Sequence, residues 1–327
     1  MPQVAFAGTF AASLAPQVRQ RLGAGYDIVV DDEAGIVARL PGVDMLVTLA
    51  FNRDMGAAAS RLKLVQVPGA GLDRIDRSAL PVATWLANAY GHDTGIAEYI
   101  IGAMLATQRS FGRLDARLRT GAWDSQWATD APPPPPWPEL AGKTLCILGY
   151  GHIGQALARR ARAFDMDVRA LRRDVSGGAD AALSFLGGPA SLPELLACAD
   201  YLAVTLSLNQ QTRGLLGAPE LALMKPSSIL INVARAEIID EDALYRALAE
   251  GRIAGAALDV WWRYPAGAGP TFPSRQPFHT LPNVLMTPHV SGWTQGMLEA
   301  RAAIIAENIR RVARGERPVN LIAPQAA

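Results

Sequence analysis

Lys143–Asp174 reads KTLCILGYGHIGQALARRARAFDMDVRALRRD, and its reading decides the fold. Thr144–Leu148 is a short apolar run of the length of a buried strand, and Gly149-Tyr150-Gly151-His152-Ile153-Gly154 follows at once. Gln155–Phe164 then has helical spacing, and Asp167–Leu171 reads as a second strand. In such a unit the first glycine makes the tight turn. The second lets a pyrophosphate approach the backbone, and the third lets the helix pack close to the strand. The phosphates rest on the helix N-terminus. A lone glycine triad is weak evidence. One set between a strand and a helix, with another strand behind it, predicts dinucleotide binding by Gly149, Tyr150, Gly151, His152, Ile153 and Gly154.

The end of the second strand bears on which dinucleotide is bound. An NAD-selective site offers a carboxylate there, about twenty residues past the glycines, to hold the ribose 2′-OH. This chain has Arg172 and Arg173 instead. A guanidinium at that place suits a 2′-phosphate. The expectation is NADP, with NAD as the alternative because Asp174 follows directly.

Working outward, 327 residues suffice for two domains, and a formal charge of +1 with no basic face argues against nucleic acid. No apolar run reaches the roughly eighteen residues a membrane span needs. The start, MPQVAFAGTF, lacks a basic region and reads as a first strand, not a secretory signal. Cys146 and Cys198 have no C-x-x-C spacing, which suggests buried thiols in a reducing cytoplasm. No two of the four histidines have ligand-like spacing, so no metal is expected.

Residues 1–90 alternate short strands and helices. Strands are expected at Val4–Ala7, Tyr26–Val30, Met45–Leu49, Leu64–Val67 and Trp85–Ala89, with a short helix at Pro16–Leu22. The fourth strand runs into Gly69-Ala70-Gly71-Leu72-Asp73, a turn whose backbone N–H groups can form an anion nest. One long helix is expected over Ile96–Thr120, and Ala131–Pro138, APPPPPWP, reads as a rigid bracing loop. Beyond the nucleotide motif come strands at Leu202–Leu206, Ile229–Val233, Gly255–Val260 and Val284–Thr287. Helices are expected at Pro219–Met224, Asp240–Glu250 and Met297–Arg314. In open parallel sheets ligands bind outside the carboxyl ends of the strands. Arg235, Asp259 and His289 stand at such ends, where a guanidinium can clamp a carboxylate and an imidazole can exchange the proton of an alcohol.

At these residues the chain resembles the D-isomer-specific 2-hydroxyacid dehydrogenase family over nearly its whole length. The likeness is carried by Gly69–Asp73, Gly149–Gly154, Ile231–Arg235 with Ile239-Asp240, Gly255–Trp261 and Thr287-Pro288-His289. The resemblance implies an α/β chain of two doubly wound parallel-sheet domains. A Rossmann-type cofactor domain (93–288) is inserted into a flavodoxin-like substrate domain (1–92 and 289–327). It implies hydride transfer between a nicotinamide cofactor and a 2-hydroxy or 2-keto acid, a small-molecule carboxylate partner, and a homodimer through the cofactor domains. It also implies roles. Arg235 binds the substrate carboxylate and carbonyl, His289 is the acid/base, and the Ala70 and Gly71 amides hold the carboxylate. Asp259 helps hold the nicotinamide side of the cofactor, whose lining continues through Ser207, Val233, Ala234, His289, Ser291 and Gly292.

One position departs from the family pattern. Members typically carry a glutamate in a D-V-F-x-x-E-P run that pairs with the histidine and raises its pKa. Here Asp259-Val260-Trp261-Trp262-Arg263-Tyr264-Pro265 puts Tyr264 in its place, beside the substrate. A neutral phenol does not stabilise an imidazolium as a carboxylate does. This leaves two alternatives open: a formate- or phosphite-type dehydrogenase without a proton relay, and a non-catalytic nucleotide-binding homologue. Phe51, Tyr90, Trp261, Trp262, Tyr264 and Trp293 all fall on loops or strand ends, and are expected to line an aromatic site or to fill a domain contact.

Overall fold

The computed structural model describes residues 1–128, 132–176 and 180–322. The chain divides into two compact units, Met1–His92 with the segment from Trp293 onward, and Asp93–Gly292.

The first unit begins β1 (Gln3–Ala7), α1 (Thr9–Leu22), β2 (Asp27–Asp31), β3 (Met45–Thr48), α2 (Arg53–Ala58), β4 (Leu64–Gln66) and β5 (Trp85–Ala87). Its sheet is parallel throughout, in the order β2-β1-β3-β4-β5. That is the flavodoxin-like order. The inner strands β1, β3 and β4 are buried on both sides, as a parallel sheet between two helical layers requires, while the edge strand β2 is not. One layer holds Leu14 and Val18 of α1 against Phe6 and Val47. The other holds Ile36, Leu40 and Met55 against Leu46 and Val65.

The second unit runs α3 (Asp93–Arg109), α4 (Phe111–Leu118), β6 (Thr144–Leu148), α5 (His152–Arg162), β7 (Asp167–Leu171), β8 (Phe185–Gly187), α6 (Leu192–Cys198), β9 (Tyr201–Val204), α7 (Ala218–Leu223), β10 (Ile229–Asn232), α8 (Glu241–Ala249), β11 (Gly255–Leu258) and β12 (Val284–Met286). Helix α9 (Gln295–Ala313) returns to the first unit, where Ile305 and Ile309 join the layer of α1. The second sheet is also parallel, in the order β12-β11-β10-β9-β6-β7-β8. After β6 the chain runs outward to β8, then returns to the other side of β6. That reversal is the switch point of a Rossmann sheet. Ile100 and Met104 of α3 and Leu157 of α5 cover one face, and Leu195, Leu221 and Leu244 the other.

Several expectations are corrected. Helix α1 starts at Thr9 and carries Pro16 inside it. The hydrogen bond proline forgoes is offset by burial of Ala11, Leu14, Ala15 and Val18 on one face. The long helix expected over 96–120 breaks at Ser110, which sits in the left-handed region at φ 51°. Gln108 is buried there, donating to the Pro138 carbonyl and accepting from the Tyr201 hydroxyl. α3 is thereby held on the sheet, while α4 leaves it with no residue buried. The same bond to Pro138 anchors the end of the proline-rich segment, whose first residue, Ala131, lies outside the described residues. Short elements α2, β8 and α6 were not expected from the sequence. The return to the first unit falls at Trp293, not His289, because buried Asp259 accepts the N–H groups of Val290 and Ser291 and keeps that turn with β11.

Candidate active site

The glycine turn leaves β6 as its sequence requires. Gly149 has φ +107°, and a Cβ there would stand 2.9 Å from the Thr205 and Leu206 backbone. A Cβ on Gly154 would stand 2.6 Å from the Gly149 carbonyl, so the helix packs against the turn only because Gly154 has none. Nothing lies within 4 Å of the corresponding point on Gly151, so the space before the helix is open. Helix α5 starts there with no side-chain cap and no acidic residue in its first turn. Its first N–H groups and the positive end of its dipole face that space. This cradle fits a pyrophosphate.

The neighbouring strand end completes it. The Leu171 carbonyl accepts from both Gly149 and Tyr150 N–H at 3.0 Å, which sets Arg172 beside the turn. Arg172 is half-buried, and its Nε is buried with no hydrogen-bond partner among the described residues. Arg173 is exposed. The Asp174 carboxylate accepts from the Ser176 N–H at 2.9 Å, and the Ser176 contacts hold it below the usual carboxylate range. Tyr150 is oriented away from any ligand role for its ring. Its side chain is buried, and its hydroxyl donates to Asp180 at 2.6 Å. His152 and Ser207 are exposed; the Ser207 carbonyl accepts from the Thr212 hydroxyl at 2.8 Å.

Arg235, Asp259 and His289 follow β10, β11 and β12, three adjacent strands. The register pairs Asn232 with Leu258 and Leu258 with Met286, so the three strands end level. Each residue is then fixed by a buried polar side chain. Asn232 accepts the Ala234 N–H at 3.0 Å and donates to the Arg235 carbonyl at 3.0 Å, so one carboxamide shapes Val233-Ala234-Arg235. Arg235 is half-buried and donates to the Ala234 carbonyl at 2.7 Å. Asp259 is fully buried and accepts from the Thr287 hydroxyl at 2.6 Å, Val290 N–H at 2.9 Å and Ser291 N–H at 2.8 Å. The Thr287 hydroxyl spends its one proton on that carboxylate. The Tyr99 hydroxyl, 2.6 Å away, therefore donates to Thr287. Burial, which raises the Tyr99 phenol to about 12, keeps that proton in place.

The turn so held puts His289 at φ 57°, a left-handed conformation rare outside glycine. Its Nδ1 lies 2.7 Å from the Tyr264 hydroxyl. The Trp261 N–H approaches the same oxygen at 3.4 Å. Burial pushes the Tyr264 phenol up, against the pull of the Trp261 N–H and the Arg235 charge, so Tyr264 is neutral. The phenol donates to Nδ1 of a neutral ring protonated at Nε2, and accepts from Nδ1–H of an imidazolium.

Asn232, Thr287 and Tyr99 were missed as supports. The signal available was a lone polar residue ending an apolar strand, ILIN, and a threonine before Pro288. The aromatic expectation is partly corrected. Phe51 is a core residue of the first unit, 1% exposed. Trp261 is buried with its Nε1 donating to the Thr287 carbonyl at 2.8 Å, and Trp262 stacks on Phe278. Tyr264 and Trp293 remain half-exposed. Ala70 and Gly71 belong to the first unit, where the Ala70 carbonyl accepts from buried Asn88 at 3.1 Å. Among the described residues no group of acidic, histidine or cysteine side chains has the makings of a metal site. A cavity of about 780 Å³ lies at the opposite, amino ends of the second sheet, lined by residues such as Trp137, Lys143, Asp200 and Asn283.

Residues 101–291 match the family model described as D-isomer specific 2-hydroxyacid dehydrogenase, NAD binding domain. The chain is 33% identical over 296 residues to D-3-phosphoglycerate dehydrogenase of Methanocaldococcus jannaschii, covering 88% of this chain and 53% of that one. It therefore spans about half the length of that relative. To glyoxylate reductase of Thermococcus gammatolerans it is 33% identical over 292 residues, covering 88% of this chain and 85% of the relative. Among solved structures it resembles an NADPH-dependent glyoxylate/hydroxypyruvate reductase from Sinorhizobium meliloti in complex with citrate, at TM-score 0.82 and 27% identity, covering 99% of this chain and 98% of that one. It likewise resembles an acyclic imino acid reductase in complex with NADPH and D-Arg, at TM-score 0.81 and 26% identity, covering 99% and 100%.

Proposed function

The chain belongs to the D-isomer-specific 2-hydroxyacid dehydrogenase family, and on that premise we propose that it reduces a 2-keto acid to the 2-hydroxy acid with NADPH. The observation that carries the reading is the set of level strand ends presenting Arg235 and His289, in the sheet whose glycine turn forms an anion cradle. A nicotinamide bound there supplies the hydride. Gly149–Gly154 and the start of α5 hold the pyrophosphate, and Val233, Ala234, Ser207, Ser291 and Gly292 line the rest. Arg172, with Arg173 beside it, takes the 2′-phosphate; its unsatisfied Nε supports NADP over NAD.

Arg235 clamps the carboxylate and polarises the carbonyl. His289 has Nδ1 engaged by Tyr264, so the proton passes at Nε2. Asp259 acts by positioning, since its contacts hold the turn that carries His289. The carboxylate that usually backs the histidine is replaced by the Tyr264 phenol, which makes the imidazolium easier to lose. Reduction is strongest on the acid side of neutrality.

The same phenol favours a second reading, reduction of a 2-imino acid. A protonated imine carries its own proton and needs less from His289. The likeness to the imino acid reductase supports it. The homodimer forms through the second unit, where Phe111, Leu118, Trp123 and Trp127 are exposed on α4 and the segment after it. An NADPH assay over pH with glyoxylate, hydroxypyruvate and phenylpyruvate, each with and without ammonia, tests both readings. Turnover without ammonia supports the keto acid, and turnover only with it supports the imine. Reduction of NADP⁺ by formate or phosphite, with no turnover of any keto or imino acid, rejects both, as does no turnover at all.

A further inference from the structure

Thr287, two residues before His289, has every polar group engaged. Its N–H donates to the Leu258 carbonyl at 3.0 Å. Its carbonyl accepts from the His289 N–H at 3.1 Å and from Trp261 Nε1 at 2.8 Å. Its hydroxyl donates to Asp259 and accepts from the Tyr99 hydroxyl, each at 2.6 Å. The bond from the His289 N–H closes the turn in which His289 takes φ 57°. Thr287 is therefore the node that ties β11 and β12 to that turn.

Among the residues in these bonds, Tyr99 alone comes from a helix, 188 residues away in the chain. It lies on α3, which packs against β10, β11 and β12. Ile96 and Ala103, three residues before it and four after, are buried on the same face, and the Tyr99 ring packs into the core of the second unit. A phenylalanine would meet that packing, and only the hydroxyl reaches Thr287. A threonine hydroxyl is a rotor with one proton. Donation from Tyr99 occupies its acceptor side and leaves the proton aimed at Asp259. Each donor in such a chain also polarises the next, so the phenol strengthens the bond to the carboxylate. Asp259 Oδ1 takes that bond together with the Val290 N–H, so what fixes this oxygen fixes the turn.

We propose that Tyr99 is a positioning residue for His289, acting through Thr287 and Asp259. This rests on the reading of His289 as the acid/base. Without the phenol hydroxyl, the Thr287 hydroxyl turns away from the carboxylate, and His289 spends less time in its left-handed conformation. The groups that bind cofactor and substrate are unchanged, so the loss falls on kcat.

Tyr99→Phe keeps the ring and deletes the hydroxyl. Its kcat is expected to fall roughly three- to tenfold, the worth of about one neutral hydrogen bond. KM for NADPH and for the keto acid is expected to stay within about twofold. Tyr201→Phe is the control. Tyr201 is a buried tyrosine of the same unit whose phenol burial also raises to about 12, and it donates to Gln108 from the first position of β9, at the other end of the sheet. Its loss removes a bond of the same kind, and is expected to lower stability in a urea melt as much as Tyr99→Phe does while leaving kcat unchanged. Thr287→Val removes the hydroxyl through which Tyr99 works, so adding Tyr99→Phe to it is expected to cost nothing further. An unchanged kcat in Tyr99→Phe, an equal loss in Tyr201→Phe, or losses that multiply in the double variant each overturn the assignment.

Amide exchange at Val290 and Ser291 needs no turnover. Faster exchange there in Tyr99→Phe, and not in Tyr201→Phe, supports the assignment even if every keto acid proves inert and the reading of the reaction fails. Exchange at the wild-type rate in Tyr99→Phe overturns it.

Discussion

Replacing Tyr264 with glutamate puts a carboxylate where a phenol now meets the imidazole. The Oη–Nδ1 separation is 2.7 Å, so a glutamate reaching the same nitrogen stands well inside the 4–6 Å range over which an opposite charge moves a pKa by one to three units. The pair is open to solvent, with Tyr264 50% exposed, so screening keeps the gain near the lower end, about one unit or ~1.4 kcal/mol. The sign follows from the proton. Reduction needs a protonated His289, and a carboxylate favours the protonated ring. The limb on which kcat/KM falls with rising pH should therefore move up by about one pH unit. Above that limb, Tyr264→Glu should be about tenfold faster than wild type at equal pH, and well below it no faster. Tyr264→Phe only deletes a neutral bond worth about 1 kcal/mol, so it should lower kcat/KM severalfold without moving the limb upward. The assay is NADPH oxidation with one keto acid from pH 5 to 10 on all three proteins. A limb that stays fixed in Tyr264→Glu would show that the group titrating in turnover is not His289, and the proton relay proposed above would fall.

Arg235→Lys keeps the charge but loses the planar fork; kcat/KM should fall by two orders of magnitude or more, with NADPH affinity unchanged by fluorescence titration. Arg172→Ala with Arg173→Ala should raise the Kd for NADPH at least tenfold and leave that for NADH within about twofold. Asp44 bears on acid stability. Burial raises its pKa, but the Gln3 N–H, Arg61 and Lys63 outweigh that and set it below the usual carboxylate value. A depressed carboxylate stabilises the fold above its unfolded pKa and loses that as pH falls through the folded one. Asp44→Asn should therefore be less stable than wild type at pH 7, with the gap closing below about pH 4 in urea melts. Trp123→Ser with Trp127→Ser should move the protein from dimer to monomer in light scattering, since neither ring is needed for the fold of its own unit.

The fold was legible because parallel sheets write themselves as short apolar runs. β6 and β7 were bounded to the residue, and the glycine turn named the Rossmann unit. What escaped depends on tertiary contacts. Ser110 carries no sign that the helix breaks there. The break follows from Gln108 being fastened to Tyr201 and Pro138, partners 93 and 30 residues away. Pro16 suggested a helix beginning, yet α1 runs through it because its buried face outweighs one missing bond. The aromatic residues misled for a related reason. Phe51 and Trp261 sit on loops by sequence, and loops suggest a cleft. Both are buried in their own units by neighbours that no local pattern reveals.

The site shows a division of labour that residue type alone conceals. Arg235, Asp259 and His289 look alike in the sequence: three polar residues, each just past an apolar strand. Their surroundings separate them. Asp259 is fully buried and spends both carboxylate oxygens on the turn that follows β12. A buried carboxylate with that many donors is costly to disturb, and its work is to hold His289 in a left-handed conformation that a free loop would leave. Asparagine at this position supplies one acceptor oxygen and directs an N–H₂ at backbone donors. Asp259→Asn should therefore loosen the turn and reduce kcat far more than it changes KM. It should also raise amide exchange at Val290 and Ser291 before any change in global melting. Had Asp259 served only to touch the cofactor, the same substitution would weaken NADPH binding and leave those two amides protected.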